Sequence, residues 1–262
     1  MTMKNYIKYL PFLALGIMAC EPEFDQAIEE DEVYTAGEVD FSNYVALGNS
    51  LTAGFADNAL YVQGQENSYP NILSDQFKLV GGGDFSQPLM EDNLGGLKLN
   101  GNQITSNRLV LSSNAGEPVI PPMPLAGDPQ TEVTNKLEAS FNNMGVPGAK
   151  SFHLVAPGYG SVAGIATGQA NPYFARFSSS ENVSIIEDAV AQSPSFFSLW
   201  IGNNDILGYA TSGGTGTDQT GNLDPSTYAS NDITDPNVFG SVYSQLITGL
   251  TASASGGVVY NI

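Results

Sequence analysis

The segment 44–54, YVALGNSLTAG, constrains the fold of this chain more than any other. Its first residues are mostly apolar and run directly into Gly48, Asn49 and Ser50. A buried strand that ends in a tight turn presents a hydroxyl at the edge of a sheet. Such a serine can act as a nucleophile if a base takes its proton and donors hold the oxyanion. Because Gly-Asn-Ser is also an ordinary turn sequence, the remaining chain has to supply these partners.

Composition limits the classes of function. The chain has 262 residues and is 42% hydrophobic, which is enough for one domain with a sizeable core. Its net charge of -19, from 27 acidic and 8 basic residues, argues against a nucleic-acid partner, because phosphates are met by Lys and Arg. The single cysteine, Cys20, excludes an internal disulfide framework. The single histidine, His153, excludes a His-rich metal site, and nothing implies a metal or an organic cofactor.

Residues 1–19 have the pattern of a bacterial lipoprotein signal peptide. Lys4 and Lys8 form a basic start, and the apolar run 9–18 is too short to span a bilayer comfortably. Small residues precede Cys20, and this pattern resembles a bacterial lipobox. In a lipobox, the chain is cut before the cysteine and the cysteine is lipidated. A plain signal peptide or a buried N-terminal helix is the alternative. The acidic residues that follow predict a solvated tether over 20–40 and a folded domain over 41–262.

Strands and helices alternate along the folded part. After the Ser50 turn, Ser68 is a natural N-cap with Pro70 in the first turn of a helix that ends at the glycines 81–83. The segment 181–192 has a helical apolar face and ends before Pro194, and 196–201 is the apolar run of a strand buried on both faces.

The last helix and strand follow the same pattern. Asp235 and Pro236 open a helix in which apolar residues recur at every fourth position, namely Val238, Val242, Leu246 and Leu250. The residues 258–262 then read as a further strand. Strands alternating with helices predict an α/β layer fold with a parallel sheet.

The segment from about 81 to 130 departs from this alternation. It is rich in Gly, Asn, Ser and Pro, and the proline-rich part 119–124 cannot be a central strand. We interpret it as an irregular insertion. It either forms a lid or wall of a binding cleft or is a floppy surface loop.

Polar clusters stand where the predicted strands end. They are 48–50 after the first strand, Gly148 in an apparent turn, and 202–205 after the strand 196–201. In a parallel sheet, ligands bind at the carboxyl ends of the strands, so these clusters can converge on one crevice.

The clusters resemble the sequence blocks of the SGNH (GDSL-like) hydrolases. The segment 48–51 matches the first block, with Asn49 where the family usually has Asp. The segment 143–148 looks like the second block, and 202–205 matches the third, Gly-x-Asn-Asp. The sequence of 43–77 and of 142–159 is also similar to SGNH-type lipoproteins of Bacteroidetes. The resemblance implies a three-layer α/β/α sandwich with a parallel sheet, the flavodoxin-like SGNH fold, incomplete at the C-terminus.

The resemblance also implies roles for individual residues. Ser50 would attack an ester carbonyl, and the oxyanion would be held by the N–H groups of Ser50 and Gly148 and by the Asn204 amide. Asn49 would support the turn, and Asp205 would cap or brace a loop. No metal is implied.

The base is the serious departure from the family pattern. The Asp-x-x-His block is absent, and we interpret His153 as a structural or substrate-contacting residue, although its nearness to Gly148 leaves an approach to the cleft open. The segment 258–262 stops inside what looks like an inner strand. We therefore expect that this is the N-terminal part of a longer protein, with the Asp and His downstream of Ile262.

Two functions stay open. The first is a serine esterase or lipase-like hydrolase acting on a small-molecule, lipid or glycan O-ester. The second is a non-catalytic lipoprotein of the same fold that binds a glycan or lipid. In both, the lipid on Cys20 anchors the protein in the bacterial envelope, in the outer membrane or at the cell surface.

Overall fold

The computed structural model describes residues 34–111 and 121–260. The chain divides into two units, Met1–Thr35 and Ala36–Ile262, and all helices and strands of the described residues belong to the second unit. The predicted signal peptide, the predicted lipidation site Cys20 and most of the predicted acidic tether lie outside the described residues, as do 112–120. Within the described ranges, no helix has both the length and the apolar character needed to cross a bilayer.

Eight strands are present in the described residues. In chain order they are β1 (Tyr44–Gly48), β2 (Lys98–Leu99), β3 (Asn102–Gln103), β4 (Leu109–Val110), β5 (Met123–Pro124), β6 (Asn143–Gly145), β7 (Phe196–Trp200) and β8 (Gly256–Val259). The main sheet has the order β6-β1-β7-β8 and is parallel throughout. The other strands form two small antiparallel ladders, β2 with β3 and β4 with β5.

The helices alternate with the strands of the main sheet. The α-helices are α1 (Ser50–Ala53), α2 (Val62–Glu66), α3 (Tyr69–Lys78), α4 (Pro172–Ala175), α5 (Ile185–Ala191), α6 (Asn204–Thr211) and α7 (Pro236–Thr251). Short 3-10 helices cover Ser151–Val155, Val162–Thr167 and Pro225–Thr227. The α/β class and the parallel sheet expected from the sequence are therefore confirmed.

Both faces of the sheet are covered, as the alternation of side chains in β1 shows. Val45 and Leu47 belong to a buried cluster that includes Leu246 of α7, whereas Tyr44 and Ala46 belong to another that packs against Phe77 of α3. Since successive residues of a strand point to opposite faces, α3 and α7 lie on opposite sides. The arrangement is compatible with a three-layer α/β/α sandwich.

Helix α7 forms where the apolar period predicted it. Val238, Val242, Leu246 and Leu250 are all buried, and the Asp235 carboxylate accepts from the N–H groups at the start of the helix, including that of Asn237 at 2.8 Å. Pro236 occupies the first turn, where its missing N–H costs nothing.

One helix cap and one helix start differ from the sequence prediction. Helix α3 begins after Ser68, but the Ser68 hydroxyl donates to the Gln87 side chain and does not cap the helix. Helix α5 starts at Ile185, not at 181, because Ser184 and Glu187 form a capping box that fixes the first turn.

Two strands also differ from the prediction. The segment Asn143–Gly145, expected to be a turn, is β6, which is buried and pairs with β1. The last strand is Gly256–Val259, not 258–262, and within the described residues it is an edge strand with exposed valines, not an inner strand. Both errors have one cause, since pairing with a strand that is distant in sequence decides these short segments.

The described part of the 81–130 insertion packs against the domain. Leu97 and Val133 are fully buried in a cluster with Tyr173 of α4. Buried polar side chains fix the path of its first turn, because the Gln65 side chain bonds Pro88 O and Met90 N, and Arg176 donates to Leu89 O at 2.7 Å. The described residues of the insertion therefore pack against the domain.

Candidate active site

The strand register brings the three polar clusters to one edge of the sheet. Gly48 at the end of β1 lies beside Gly145 of β6 and beside Trp200 of β7. The carboxyl ends of β1, β6 and β7 therefore lie side by side at one edge of the sheet. The segments that follow these positions carry Ser50, Gly148 and Asn204, so all three residues follow strand ends at one edge of the sheet.

Two glycines let the strands and α1 approach closely. A Cβ on Gly48 would lie 2.0 Å from Thr52 Oγ1 and 2.4 Å from the Trp200 carbonyl oxygen. A Cβ on Gly145 would lie 2.3 Å from the backbone nitrogen of Ala53. Only glycine fits at such separations, and α1 therefore rests directly on the sheet edge.

Ser50 is the first residue of α1 and is half-buried. Its carbonyl accepts hydrogen bonds from Gly54 and Phe55, which closes the short helix. Its hydroxyl has no hydrogen-bond partner among the described residues, and the N–H groups of Ser50 and Gly148 have no acceptor there either. The edge thus offers a free hydroxyl and two free backbone donors.

Asn49 ties the first loop to the third. It is fully buried, its Oδ1 accepts from the Leu51 N–H at 3.1 Å, and its Nδ2 donates to Asn203 Oδ1. An amide side chain can both accept and donate hydrogen bonds, whereas an ionised carboxylate can only accept them. Asn49 thus supports the turn with an uncharged cross-link.

Asn204 ties the third loop to the second. Its Nδ2 donates to the Ala149 carbonyl at 2.8 Å. An amide nitrogen carries two hydrogens, so one N–H remains after this bond fixes the side chain. Gly148, one residue before Ala149, is exposed with φ +82, and the space on its Cβ side is open. The loop can therefore receive a ligand close to its backbone.

Asp205 braces the loop that follows Gly148. Its carboxylate accepts from the Ser151 N–H at 2.9 Å and from the Ser151 hydroxyl at 2.7 Å. Burial raises the pKa of Asp205, while the Ser151 hydrogen bonds oppose that rise. Asp205 therefore fixes the loop that follows Gly148.

His153 is fixed away from the sheet-edge residues. Its Nδ1 accepts the Lys150 N–H at 3.0 Å, and its ring stacks on Tyr159 with centroids 4.3 Å apart. It lines a cleft that none of Ser50, Gly148 and Asn204 lines. Burial, and next the Lys150 ammonium, lower the pKa of His153 to about 4. A ring so placed has a structural role, and it can contact a ligand in that cleft.

The pKa of His153 predicts a loss of stability in mild acid. The unfolded chain takes up a proton near pH 6.5, whereas the folded chain does so only near pH 4. The free energy of unfolding therefore falls as the pH drops from about 6.5 to about 4, by at most about 1.4 kcal/mol per pH unit. As the only histidine in the chain, His153 gives one imidazole NMR signal whose titration can be followed directly.

The matched control is His153→Gln, which removes this titration. Urea unfolding between pH 7 and pH 5 is expected to show a weaker pH dependence in the variant than in the wild type. An imidazole signal that titrates near pH 6.5 in the folded protein would contradict the burial argument.

A second depression of about 560 Å³ adjoins the segment that carries Ser50. Its lining includes Leu51 and Phe55 and the rings of Tyr69 and Trp200, whose centroids are 5.4 Å apart. None of its lining residues is charged. The depression leaves room beside Ser50 for an uncharged group.

Sequence reasoning missed several residues that hold the site together. They are the partners Asn203, Ala149 and Ser151, together with Asn171, whose Nδ2 donates to Pro147 O at 2.8 Å. Asn203 could have been found, because it stands inside the third polar cluster. Ser151 and Asn171 carry no local signal, because their roles depend on contacts that form only in the folded chain.

The described residues contain no group of three His, Cys, Asp or Glu side chains placed to hold a metal ion. Comparisons with protein-family models, with curated proteins and with solved structures found no match for this chain.

Proposed function

We propose that this chain is a serine esterase of the SGNH type. One observation carries the proposal. Among the described residues, the Ser50 hydroxyl and the N–H groups of Ser50 and Gly148 have no partner, and they stand at the same sheet edge as the anchored amide of Asn204. A nucleophile and hydrogen-bond donors at one edge are the groups that acyl transfer requires.

The proposed reaction has two steps. Ser50 Oγ attacks the carbonyl carbon of an O-ester, its proton passes to a base, and the backbone donors and Asn204 stabilise the oxyanion. The tetrahedral intermediate expels the alcohol, which takes the proton, and an acyl-enzyme remains on Ser50. Water then attacks the acyl group and releases the carboxylic acid. A single oxyanion donor is worth about 2.7–4 kcal/mol in the transition state.

The proposed reaction needs a base, and the resemblance to the SGNH hydrolases gives that role to the histidine of an Asp-x-x-His block. His153 accepts the Lys150 N–H through Nδ1 and lines another cleft, so its position does not favour it as the base. Sequencing the native reading frame past the Ile262 codon tests the assignment. A folded, active 262-residue product would contradict it.

We also propose that the protein is a lipoprotein of the bacterial envelope. The proposal rests on the lipobox-like sequence before Cys20 and on the acidic residues that follow it. Metabolic labelling with a palmitate analogue tests it, because the label is expected in the wild type and absent from Cys20→Ser.

A fluorophosphonate probe tests the proposed nucleophile. The complete protein from the native reading frame is expected to form one covalent adduct, and mass spectrometry should map it to the peptide that contains Ser50. Ser42→Ala, which removes an exposed serine at the opposite end of β1, is the matched control and should label normally. An adduct that persists in Ser50→Ala would contradict the assignment.

A non-catalytic binding lipoprotein is the second candidate. The fixed position of His153 favours it, since the described residues then provide a nucleophile without a base. Saturable binding of a glycan or lipid by the complete protein, with no ester turnover and no probe labelling, would favour this candidate over the esterase.

A further inference from the structure

A large cleft lies apart from the sheet-edge residues. Its volume is about 930 Å³, and its walls come from the 3-10 helices Ser151–Val155 and Val162–Thr167 and from residues 225–230. That volume is in the range of small-molecule sites. Ser50, Gly148 and Asn204 are not among its lining residues, so the proposed esterase chemistry does not account for it.

The charge of the cleft differs from that of the chain. The chain has 27 acidic residues, yet no carboxylate residue lines this cleft. Its one charged lining residue is Lys150, which is 5% exposed and whose ammonium donates to the Asp232 carbonyl at 2.7 Å. The cleft therefore presents neither a free cation for an anionic ligand nor a carboxylate for a cationic one.

His153 supplies a neutral donor to the cleft. Because its Nδ1 accepts the Lys150 N–H, the proton of the neutral ring is on Nε2, which has no partner among the described residues. The side chain lines the cleft. Burial keeps the ring uncharged above about pH 4.

The other lining residues are uncharged. Apolar side chains, among them Phe152, Val155, Pro157 and Val242, form part of the walls. Uncharged polar residues form the rest, namely Ser161, Thr167, Gln169, Ser226 and Ser230. The aromatic rings contact one another, with Tyr159 stacked on His153 and Tyr228 edge-on to Phe152 at 5.6 Å.

We propose that this cleft binds an uncharged ligand that has an apolar chain and an oxygen that accepts a hydrogen bond from His153 Nε2–H, the chemistry of a long-chain alcohol or a neutral ester. The assignment is independent of whether Ser50 is a nucleophile. It is supported by the volume, the absence of lining carboxylates, the buried Lys150 and the free imidazole donor.

The 3-10 helix Val162–Thr167 offers a matched pair of variants. Ala163 and Ala166 are both exposed, but only Ala163 lines the cleft. Ala163→Asp places a charge on the apolar wall, whereas Ala166→Asp adds the same charge to the same helix outside the cleft. Both substitutions are at exposed positions and should leave folding intact, which circular dichroism verifies.

The experiment uses the complete protein and the neutral fluorophore N-phenyl-1-naphthylamine. We expect saturable binding, competition by 1-decanol, and at least a tenfold weaker affinity in Ala163→Asp with less than a twofold change in Ala166→Asp. In the wild type, 1-decanol should also shift the single imidazole NMR signal.

Several results would overturn the proposal. They are the absence of saturable binding, equal affinity in both aspartate variants, and an imidazole signal that does not respond to 1-decanol. Competition by decanoate as strong as that by 1-decanol would contradict a neutral ligand. Competition by maltose in place of 1-decanol would assign the cleft to a sugar.

Discussion

Replacing Ser50 with alanine is expected to lower kcat for ester hydrolysis by a factor on the order of 10⁶ in the complete protein. The variant retains the oxyanion donors but has lost the atom that forms the acyl-enzyme. Only the residual rate that binding and the oxyanion donors provide should remain. The measurement is the hydrolysis of a short-chain p-nitrophenyl ester under single-turnover and steady-state conditions.

Two controls make the result specific. Ser50→Ala should fold normally, because the hydroxyl has no hydrogen-bond partner among the described residues. Asn204→Ala should lower kcat by about 10²–10³-fold, the effect of losing one oxyanion donor. If turnover in Ser50→Ala stays within tenfold of the wild type, the serine is not the nucleophile and the esterase proposal fails.

Gly145→Ala is expected to destabilise the fold by at least about 3 kcal/mol. The added Cβ would lie 2.3 Å from the Ala53 nitrogen and 2.7 Å from the Ala53 Cα. These are backbone atoms, so no side-chain rotation can relieve the overlap, and α1 or β6 must move. In a domain of this size, the loss corresponds to a fall in Tm of about 6–12 °C, measured by thermal unfolding.

Gly148→Ala separates this steric effect from backbone strain. At Gly148 the Cβ position is open, but φ is +82, a conformation that costs an L-residue about 1–2 kcal/mol. We expect a smaller loss of stability than for Gly145→Ala. Equal losses in both variants would show that close packing of α1 on the sheet is not the dominant constraint.

The parts of the fold that the sequence predicted well are those with a strong local pattern. Helix α7 has apolar residues at every fourth position and an aspartate-proline start, and the apolar runs of β1 and β7 are unmistakable. The prediction missed β6 and placed the start of β8 two residues too late, because each strand is short and contains glycine, so that pairing with its neighbour defines it.

The sequence likewise predicts some parts of the candidate site and not others. Ser50, Gly148 and Asn204 stand in recognisable polar clusters after strands, and parallel topology then brings those clusters to one edge. The large cleft has no such signal, because the 3-10 helices that form its walls are too short to show a repeating apolar pattern. The sequence also does not distinguish Ala163, which lines the cleft, from Ala166, which does not.

The cross-links at the sheet edge have a consequence for the response of the protein to its surroundings. Asn49, Asn203 and Asn204 join the loops through amides, which neither titrate nor gather counterions. The surface of a chain with net charge -19 changes its self-repulsion whenever ionic strength changes. Changes in salt concentration therefore alter the repulsion between surface charges, whereas the amide hydrogen bonds that join the loops do not depend on salt.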